Sequence, residues 1–211
     1  TSIFLILLLY LSFNYSYILI ISLILISVFS WIEFTGLISK IFGNKNFGSN
    51  FLRLILQIFF LIYLTIFSVI VFFGIFDQDL KFSILFLICV CIFSDIGGLL
   101  FGNFFKGKKL TKISPNKTIS GSLGSFSLSA LTSSILLGYI FNTNLLNNIF
   151  LGIIISLSVQ LGDLFFSYLK RKSSLKNTGN ILPGHGGVLD RVDGILLGIP
   201  CGLIFTLILS S

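Results

Sequence analysis

The chain has few charged residues. Asp, Glu, Lys and Arg make up 10% of its 211 positions, whereas a soluble domain carries about 25%. Hydrophobic residues make up 55%, and the mean hydropathy is +1.06. These values exclude an ordinary soluble domain and predict an integral membrane protein.

Methionine is absent and cysteine is rare. The chain begins with Thr1 and contains no Met, so we expect one or more further spans to precede it in the complete protein. The three cysteines lie in apolar runs, and Cys89 and Cys91, two positions apart, would point in different directions on a helix. We therefore expect all three, Cys201 included, to be small membrane-buried side chains, not disulfide partners or metal ligands.

Long apolar runs dominate what is present. A helix needs about 20 apolar residues to cross a membrane, and only helices and closed barrels satisfy the backbone in lipid. A shorter run at 2–13 is interpreted as the remnant of a further span. We therefore predict an all-α, polytopic membrane protein with about seven transmembrane helices, six of them clear from the sequence: 18–34, 51–74, 82–104, 122–141, 149–169 and 188–209.

The basic residues lie almost entirely in alternate connections between these runs. Of the 14 Lys and Arg residues, all but Lys81 fall on one side of the predicted membrane. The positive-inside rule makes that side cytoplasmic. The net charge of +7 therefore describes one membrane face, not a nucleic-acid surface, and we expect anionic lipid headgroups and nucleotide phosphates as partners.

Two acidic residues, Asp95 and Asp163, lie deep inside the predicted spans and not at their ends. Asp95 and Asp163 are roughly 13 Å and 10 Å from the cytoplasmic ends of their helices, at 1.5 Å per residue. An ionised Asp near the bilayer centre costs roughly 2.5–3.5 kcal/mol. We therefore expect both side chains to face a polar cavity or a cation.

The spacing of the polar residues near the C-terminus favours a metal–phosphate site. Asp163, Ser167 and Lys170 share one helix face, and Asp190 and Asp193 share another. Carboxylates suit Mg²⁺, which keeps substrate phosphates in its coordination shell, while hydroxyls and cations suit phosphate oxygens. Any one of these acids could instead form a structural salt bridge at a helix mouth.

Two cytoplasmic loops accompany the acids. Residues 183–187 (Pro-Gly-His-Gly-Gly) allow close approach of a ligand to the backbone and lead into a helix N-terminus, a natural anion site. His185, the only histidine, lies between glycines in a short loop where it has little core to fill. It is therefore interpreted as a phosphate or base contact, with a structural role as the alternative. The loop at 112–118 is basic and rich in hydroxyls, and beside the acids it is interpreted as a second phosphate-contacting loop.

At these residues the chain resembles the CDP-diacylglycerol synthase (phosphatidate cytidylyltransferase) family. The match is carried by Ser-Tyr-Leu-Lys-Arg at 167–171, by Lys176, and by Leu-Pro-Gly-His-Gly-Gly-Val-Leu-Asp-Arg-Val-Asp at 182–193. Gly-Asp at 162–163, Ser-Asp-Ile-Gly-Gly at 94–98 and Ile-Ser-Pro-Asn-Lys-Thr at 113–118 resemble upstream family segments in the expected order. The resemblance spans about 94–211.

The resemblance implies transfer of a cytidylyl group from CTP to phosphatidic acid, with Mg²⁺ required and CDP-diacylglycerol and pyrophosphate as products. It also suggests a homodimer, in a bacterial inner membrane with the active site facing the cytoplasm. The implied metal ligands are Asp163, Asp190 and Asp193, which with Lys170 and Arg171 form the predicted catalytic set. The implied substrate contacts are Ser114, Asn116, Lys117, Thr118, Ser167, His185, Gly186 and Arg191.

These assignments divide the chain into N-terminal transmembrane helices, 1–80, and a C-terminal catalytic region, 81–211, with cytoplasmic loops at 105–121 and 170–187. The chain departs from the family pattern at four positions, where Asn177, Ser120, Asn103 and Gly194 replace the usual Asp, Glu, Arg and Ser. Alternative functions are cytidylyl transfer to another lipid phosphate, a catalytically inactive membrane scaffold, and a transporter. A transporter is disfavoured because we see no internal repeat.

Overall fold

The computed structural model describes residues 16–43, 47–111, 113–115, 117–141, 144–179, 181 and 186–210. Within these ranges it contains α-helices and no multi-residue β-strand. The predicted short span at 2–13 lies outside the described residues. The helices are α1 (Ser16–Phe42), α2 (Phe47–Phe76), α3 (Gln78–Phe105), α4 (Ile119–Phe141), α5 (Leu145–Lys172) and α6 (Leu189–Ser210).

Each of these helices is long and apolar enough to cross a membrane. The candidate spans are 20 to 30 residues long, or about 30–45 Å at 1.5 Å per residue, against a hydrocarbon thickness of about 30 Å. The prediction of an all-α integral membrane protein is confirmed, and each of the six clear apolar runs corresponds to one helix.

The observed helices extend beyond the predicted runs, most clearly in α1. The apolar run ends at Phe34, but the helix continues to Phe42. Glu33, Phe34 and Leu37 are all buried, so this end of α1 packs against protein. Hydropathy alone underestimates the length of such a helix, because it identifies only the residues that suit lipid.

The backbone contacts divide the chain into two compact units. The first comprises Thr1–Lys81 and Lys172–Asp190, and its described part contains α1, α2 and the segment that precedes α6. Within it the Phe34 and Phe60 rings stack with centroids 3.9 Å apart, and the hydroxyls of Ser27 and Ser68 hydrogen-bond at 2.7 Å. These contacts join the middle of α1 to the middle of α2.

The second unit comprises Phe82–Arg171 and Arg191–Ser211. Glycines set its helix crossings: a Cβ on Gly97 of α3 would lie 2.5 Å from the Gly124 carbonyl oxygen of α4, and one on Gly152 of α5 would lie 2.5 Å from the Ser129 carbonyl oxygen. Small residues at such crossings let membrane helices approach closely. The unit is therefore built on backbone contact between helices.

Polar side chains join the helices of this second unit. The buried hydroxyls of Ser94 on α3 and Ser156 on α5 hydrogen-bond at 2.7 Å. Gln160 donates to Ser156 at 3.2 Å and accepts a hydrogen bond from Ser122 on α4. This network lies one turn before Asp163 and fixes α3, α4 and α5 beside it.

The predicted border at residue 80 was drawn on function, and it stays a prediction. The compact units place residues 172–190 with the N-terminal helices, so most of the predicted cytoplasmic loop at 170–187 belongs to the first unit.

Candidate functional site

The crossing of α5 and α6 is made by two glycines. A Cβ on Gly162 of α5 would lie 2.6 Å from the backbone oxygen of Asp193, and a Cβ on Gly194 of α6 would lie 2.9 Å from Asp163 Oδ1. Because neither position has a side chain, the two helices can touch here. Asp163 and Asp193 immediately adjoin these glycines, so the crossing brings their side chains together.

The carboxyl groups of Asp163 and Asp193 are within hydrogen-bonding contact of each other. Lys117 Nζ lies 2.6 Å from Asp163 Oδ2, and Lys170 Nζ lies 4.0 Å from Asp193 Oδ2. The side chains of Asp193 and Lys170 are each 13% exposed. Two carboxylates in contact repel each other unless a proton or a cation lies between them, so this pair is suited to holding a positive ion.

A third acid lies near the pair. Asp95 on α3 is within electrostatic range of both Asp163 and Lys117. Among the described residues, however, no three Asp, Glu, His or Cys side chains are grouped closely enough to hold a metal ion. The structure therefore supplies two carboxylates in contact, with Asp95 contributing negative charge nearby.

Lys117 is held in place by its loop. Leu110 N donates to the Lys117 carbonyl at 2.8 Å, Lys117 N donates to the Ser114 carbonyl at 3.1 Å, and Ile119 N donates to the Lys108 carbonyl at 2.9 Å. These bonds pair the two sides of the loop between α3 and α4. The predicted phosphate-contacting loop thus presents Lys117 to Asp163 from a fixed backbone.

The hydroxyls of this loop make local bonds. Thr118 Oγ1 accepts from Gly121 N at 3.1 Å, which caps the N-terminus of α4. Ser120 Oγ accepts from Gly107 N at 3.3 Å. Thr118, predicted as a substrate contact, therefore has a structural bond as well, and Asn116 of the same prediction lies outside the described residues.

The other predicted residues of α5 follow Asp163 along one helix, as their spacing required. Ser167 and Lys170 are partly buried, and Arg171 is exposed. Arg171 Nε donates to the Ile113 carbonyl at 3.3 Å, so α5 is tied to the loop that carries Lys117. Arg191 is exposed on α6.

Asp190 belongs to the first compact unit and has its own set of donors. Its Oδ2 accepts from Thr178 N at 2.9 Å and from Gly187 N at 3.2 Å. Gly186 has φ 86°, a left-handed conformation that favours glycine. Asp190 lies three residues before Asp193 on α6, as predicted, whereas His185 lies outside the described residues.

The sequence gives no role to Glu33 of α1. In the structure its side chain lies beside the N-terminus of α6. Glu33 is 4% exposed. Its carboxylate accepts from Val188 N and Leu189 N, each at 2.9 Å, and from Thr178 Oγ1 at 2.7 Å. The helix N-terminus was expected to bind a phosphate, but an internal carboxylate accepts from these two N–H groups. The sequence separation of 145 to 156 residues leaves no local signal for this contact.

Comparison with known proteins assigns the chain to a family. Residues 1–209 match the sequence model of the cytidylyltransferase family. The chain belongs to the cytidylyltransferase family. The family resemblance inferred from the C-terminal motifs is therefore confirmed, and it extends over the N-terminal helices.

Curated relatives of this chain are named phosphatidate cytidylyltransferase. The chain is 46% identical to the Rickettsia bellii protein over 120 residues, covering 53% of this chain and 52% of the relative. It is 39% identical to the Helicobacter pylori protein over 127 residues, covering 60% and 47%, and 40% identical to the Staphylococcus haemolyticus protein over 119 residues, covering 56% and 46%. The chain spans about half the length of the curated relatives it matches.

Two departures from the family pattern lie beside the acids. A side chain at Gly194 would meet Asp163 Oδ1 at 2.9 Å and Val159 Cγ1 at 2.8 Å, so the glycine leaves room for the carboxylate of Asp163. Asn177 lies next to Gly186, where a Cβ would be 3.3 Å from the Asn177 side chain. Space is therefore short at Gly194, whereas Asn177 is exposed beside Gly186.

Proposed function

We propose that this cytidylyltransferase transfers CMP from CTP to phosphatidic acid, forming CDP-diacylglycerol and releasing pyrophosphate. The observation that supports this most is the carboxylate pair of Asp163 and Asp193, flanked by Lys117 and Lys170. The names of the curated relatives and the C-terminal motifs point to the same reaction.

The pair fits a divalent metal, and Mg²⁺ is the proposed cofactor. Carboxylate oxygens are the ligands Mg²⁺ prefers, and a cation would remove the repulsion between the two groups. Asp163 and Asp193 would hold it, and Asp190 is a third ligand predicted from the resemblance alone. Bound there, Mg²⁺ would neutralise charge on the phosphate oxygens of the substrates.

In the proposed reaction the protein side chains bind and align the phosphates of the two substrates. An oxygen of the phosphatidic acid phosphate attacks the α-phosphorus of CTP, the bond from that phosphorus to the bridging oxygen breaks, and pyrophosphate leaves. The attacking oxygen is already anionic, so no strong general base is needed. Charge crowding between phosphates is the main barrier, and Lys117, Lys170, Arg171 and Arg191 would lower it by binding and aligning them.

The setting of the reaction is also part of the proposal. The excess of basic residues on one side supports an active site facing the cytoplasm, and the bacterial relatives support the inner membrane. CTP would enter from water and the lipid from the bilayer, with a homodimer as the proposed assembly.

The test follows radiolabel from CTP into lipid. Purified protein in detergent receives α-labelled CTP and Mg²⁺ with phosphatidic acid, with another lipid phosphate, or with no lipid. Label in the lipid fraction only with phosphatidic acid is expected. Label with another lipid phosphate would replace the proposed acceptor, and no lipid label from a folded protein that binds CTP would contradict the proposed reaction.

A matched variant guards against contamination by a host enzyme. Asp193→Asn should abolish the label, because it removes one carboxylate of the pair. Asp77→Asn changes an acid in the connection between α2 and α3, on the opposite predicted face, and should leave the rate unchanged.

A further inference from the structure

We propose that Glu33 is a positioning residue that orients Asp190 through the segment preceding α6. The proposal rests on the proposed function only in taking Asp190 to be a metal ligand. Glu33 lies on α1, far from the C-terminal motifs in sequence, and its contacts lie wholly within the first compact unit.

Glu33 is built into the end of α6. Its Oε1 accepts from Val188 N, and its Oε2 accepts from both Leu189 N and Thr178 Oγ1. A buried carboxylate costs several kcal/mol unless its oxygens are hydrogen-bonded. These three donors make the site specific for a carboxylate, since Oε1 and Oε2 must both accept.

Thr178 links Glu33 to Asp190. Its hydroxyl donates to Glu33 at 2.7 Å and its backbone N donates to Asp190 Oδ2 at 2.9 Å. The residue is 8% exposed. A shift of Glu33 therefore moves the residue that holds one side of the Asp190 carboxylate.

A second link runs along the backbone. Gly187, Val188 and Leu189 are consecutive, and their N–H groups donate in turn to Asp190, to Glu33 and again to Glu33. Glu33 thus fixes the peptide groups directly after the one that binds Asp190. Each donor to Asp190 is therefore linked to Glu33. Thr178 itself donates to Glu33, and Gly187 is followed directly by Val188, which does so.

Backbone packs closely around the Glu33 carboxylate. A Cβ on Gly179 would lie 2.6 Å from Glu33 Oε1, and a Cβ on Gly187 would collide with both Thr178 and Glu33. The two glycines surround the carboxylate closely with backbone. Such a tightly enclosed residue is suited to orienting its neighbour, as supporting residues around a metal ligand do.

The test uses Mn²⁺ as a probe of the metal site, followed by electron paramagnetic resonance of the purified protein. Glu33→Gln has one oxygen acceptor where the carboxylate has two, so at least one backbone N–H loses its partner. Loss of a residue that supports a metal ligand typically lowers metal affinity about 10- to 100-fold. We expect Glu33→Gln to lower Mn²⁺ affinity by this factor when Asp190 is present. In a protein that already carries Asp190→Asn, Glu33→Gln should lower the affinity little further, because the effects of coupled residues are not additive.

Two further variants separate positioning from charge and from general damage. Thr178→Val removes the linking hydroxyl without changing charge, and it should reproduce part of the loss with the same dependence on Asp190. Ser30→Ala alters a buried residue one turn before Glu33, whose hydroxyl has no hydrogen-bond partner among the described residues. It should leave Mn²⁺ affinity unchanged. If Glu33→Gln fails to fold, Thr178→Val carries the test.

The outcomes distinguish this proposal from the proposed function. Equal losses in both backgrounds, or an unchanged Mn²⁺ affinity in Asp190→Asn, would overturn the positioning role even if CMP transfer is observed. Non-additive losses in a protein that fails to transfer CMP would keep the positioning role and remove the proposed reaction.

Discussion

Substitution of Gly162 by Ala tests whether the glycine crossing of α5 and α6 sets the site. The added Cβ would lie 2.6 Å from the Asp193 carbonyl oxygen, whereas ordinary contact begins at 3.4 Å. The obstructing atom belongs to the backbone, so one helix must move by about 0.8 Å relative to the other. This displacement acts directly on the distance between the Asp163 and Asp193 carboxylates.

The expected effect on catalysis is much larger than the effect on folding. Overpacking a helix contact costs about 1–3 kcal/mol, part of which is offset by the higher helix propensity of Ala, about 1 kcal/mol. A misplacement of about 1 Å can lower a rate about 100-fold. We therefore expect Gly162→Ala to fold, with a modestly lower thermal unfolding midpoint, and to transfer CMP about 100-fold more slowly.

The assay is the initial rate of label transfer from CTP to lipid, measured beside thermal unfolding in the same detergent. Gly138→Ala on α4 is the matched control, because a Cβ there meets no atom within 4 Å, and it should keep the parent rate. A Gly162→Ala protein with the parent rate and parent Mg²⁺ dependence would refute the argument that this crossing places the two carboxylates.

Four further predictions concern the loop, the polar network and the metal. Lys117→Met removes the cation 2.6 Å from Asp163 and should slow CMP transfer at least about 10-fold, whereas Lys117→Arg should keep part of the rate. Equal rates for Lys117→Met and the parent would contradict a role of Lys117 in binding phosphate. Thr118→Ala removes the α4 cap and should lower unfolding free energy by about 1 kcal/mol, whereas an unchanged unfolding midpoint would show that the cap is not needed. Ser156→Ala breaks the bonds to Ser94 and Gln160 and should cost about 1 kcal/mol by the same measurement, at about 0.6 kcal/mol for each bond. A loss of several kcal/mol would show a larger role for the network. Removal of divalent metal by a chelator should abolish transfer and added Mg²⁺ should restore it, so transfer that persists in chelator would exclude a metal requirement.

The helices could be predicted from the sequence because lipid imposes a simple rule on composition and length. The C-terminal end of α1 could not, since Leu37 and Ile38, beyond the apolar run, are buried against protein instead of lipid. The same rule identified Asp163 and Asp95 as unusual, because a carboxylate inside a span needs a partner.

The site was only partly predictable. Helix periodicity placed Lys170 on the same helix as Asp163, and the family motifs singled out Asp193. The glycine contact that joins the two acids depends on how α5 and α6 cross, which no local pattern reports. Glu33 shows the same limit, because its partners lie at least 145 residues away along the chain.

The most direct test of the account compares the Mg²⁺ dependence of CMP transfer in the parent protein with that in Asp163→Asn and Asp193→Asn. The parent should label phosphatidic acid rapidly, and each variant should lose at least about 1,000-fold with no rescue at saturating Mg²⁺. Each carboxylate is needed to place the Mg²⁺ that would stabilise charge in the transition state. Either variant, correctly folded and transferring CMP at the parent rate, would contradict the claim that this carboxylate pair is the catalytic centre.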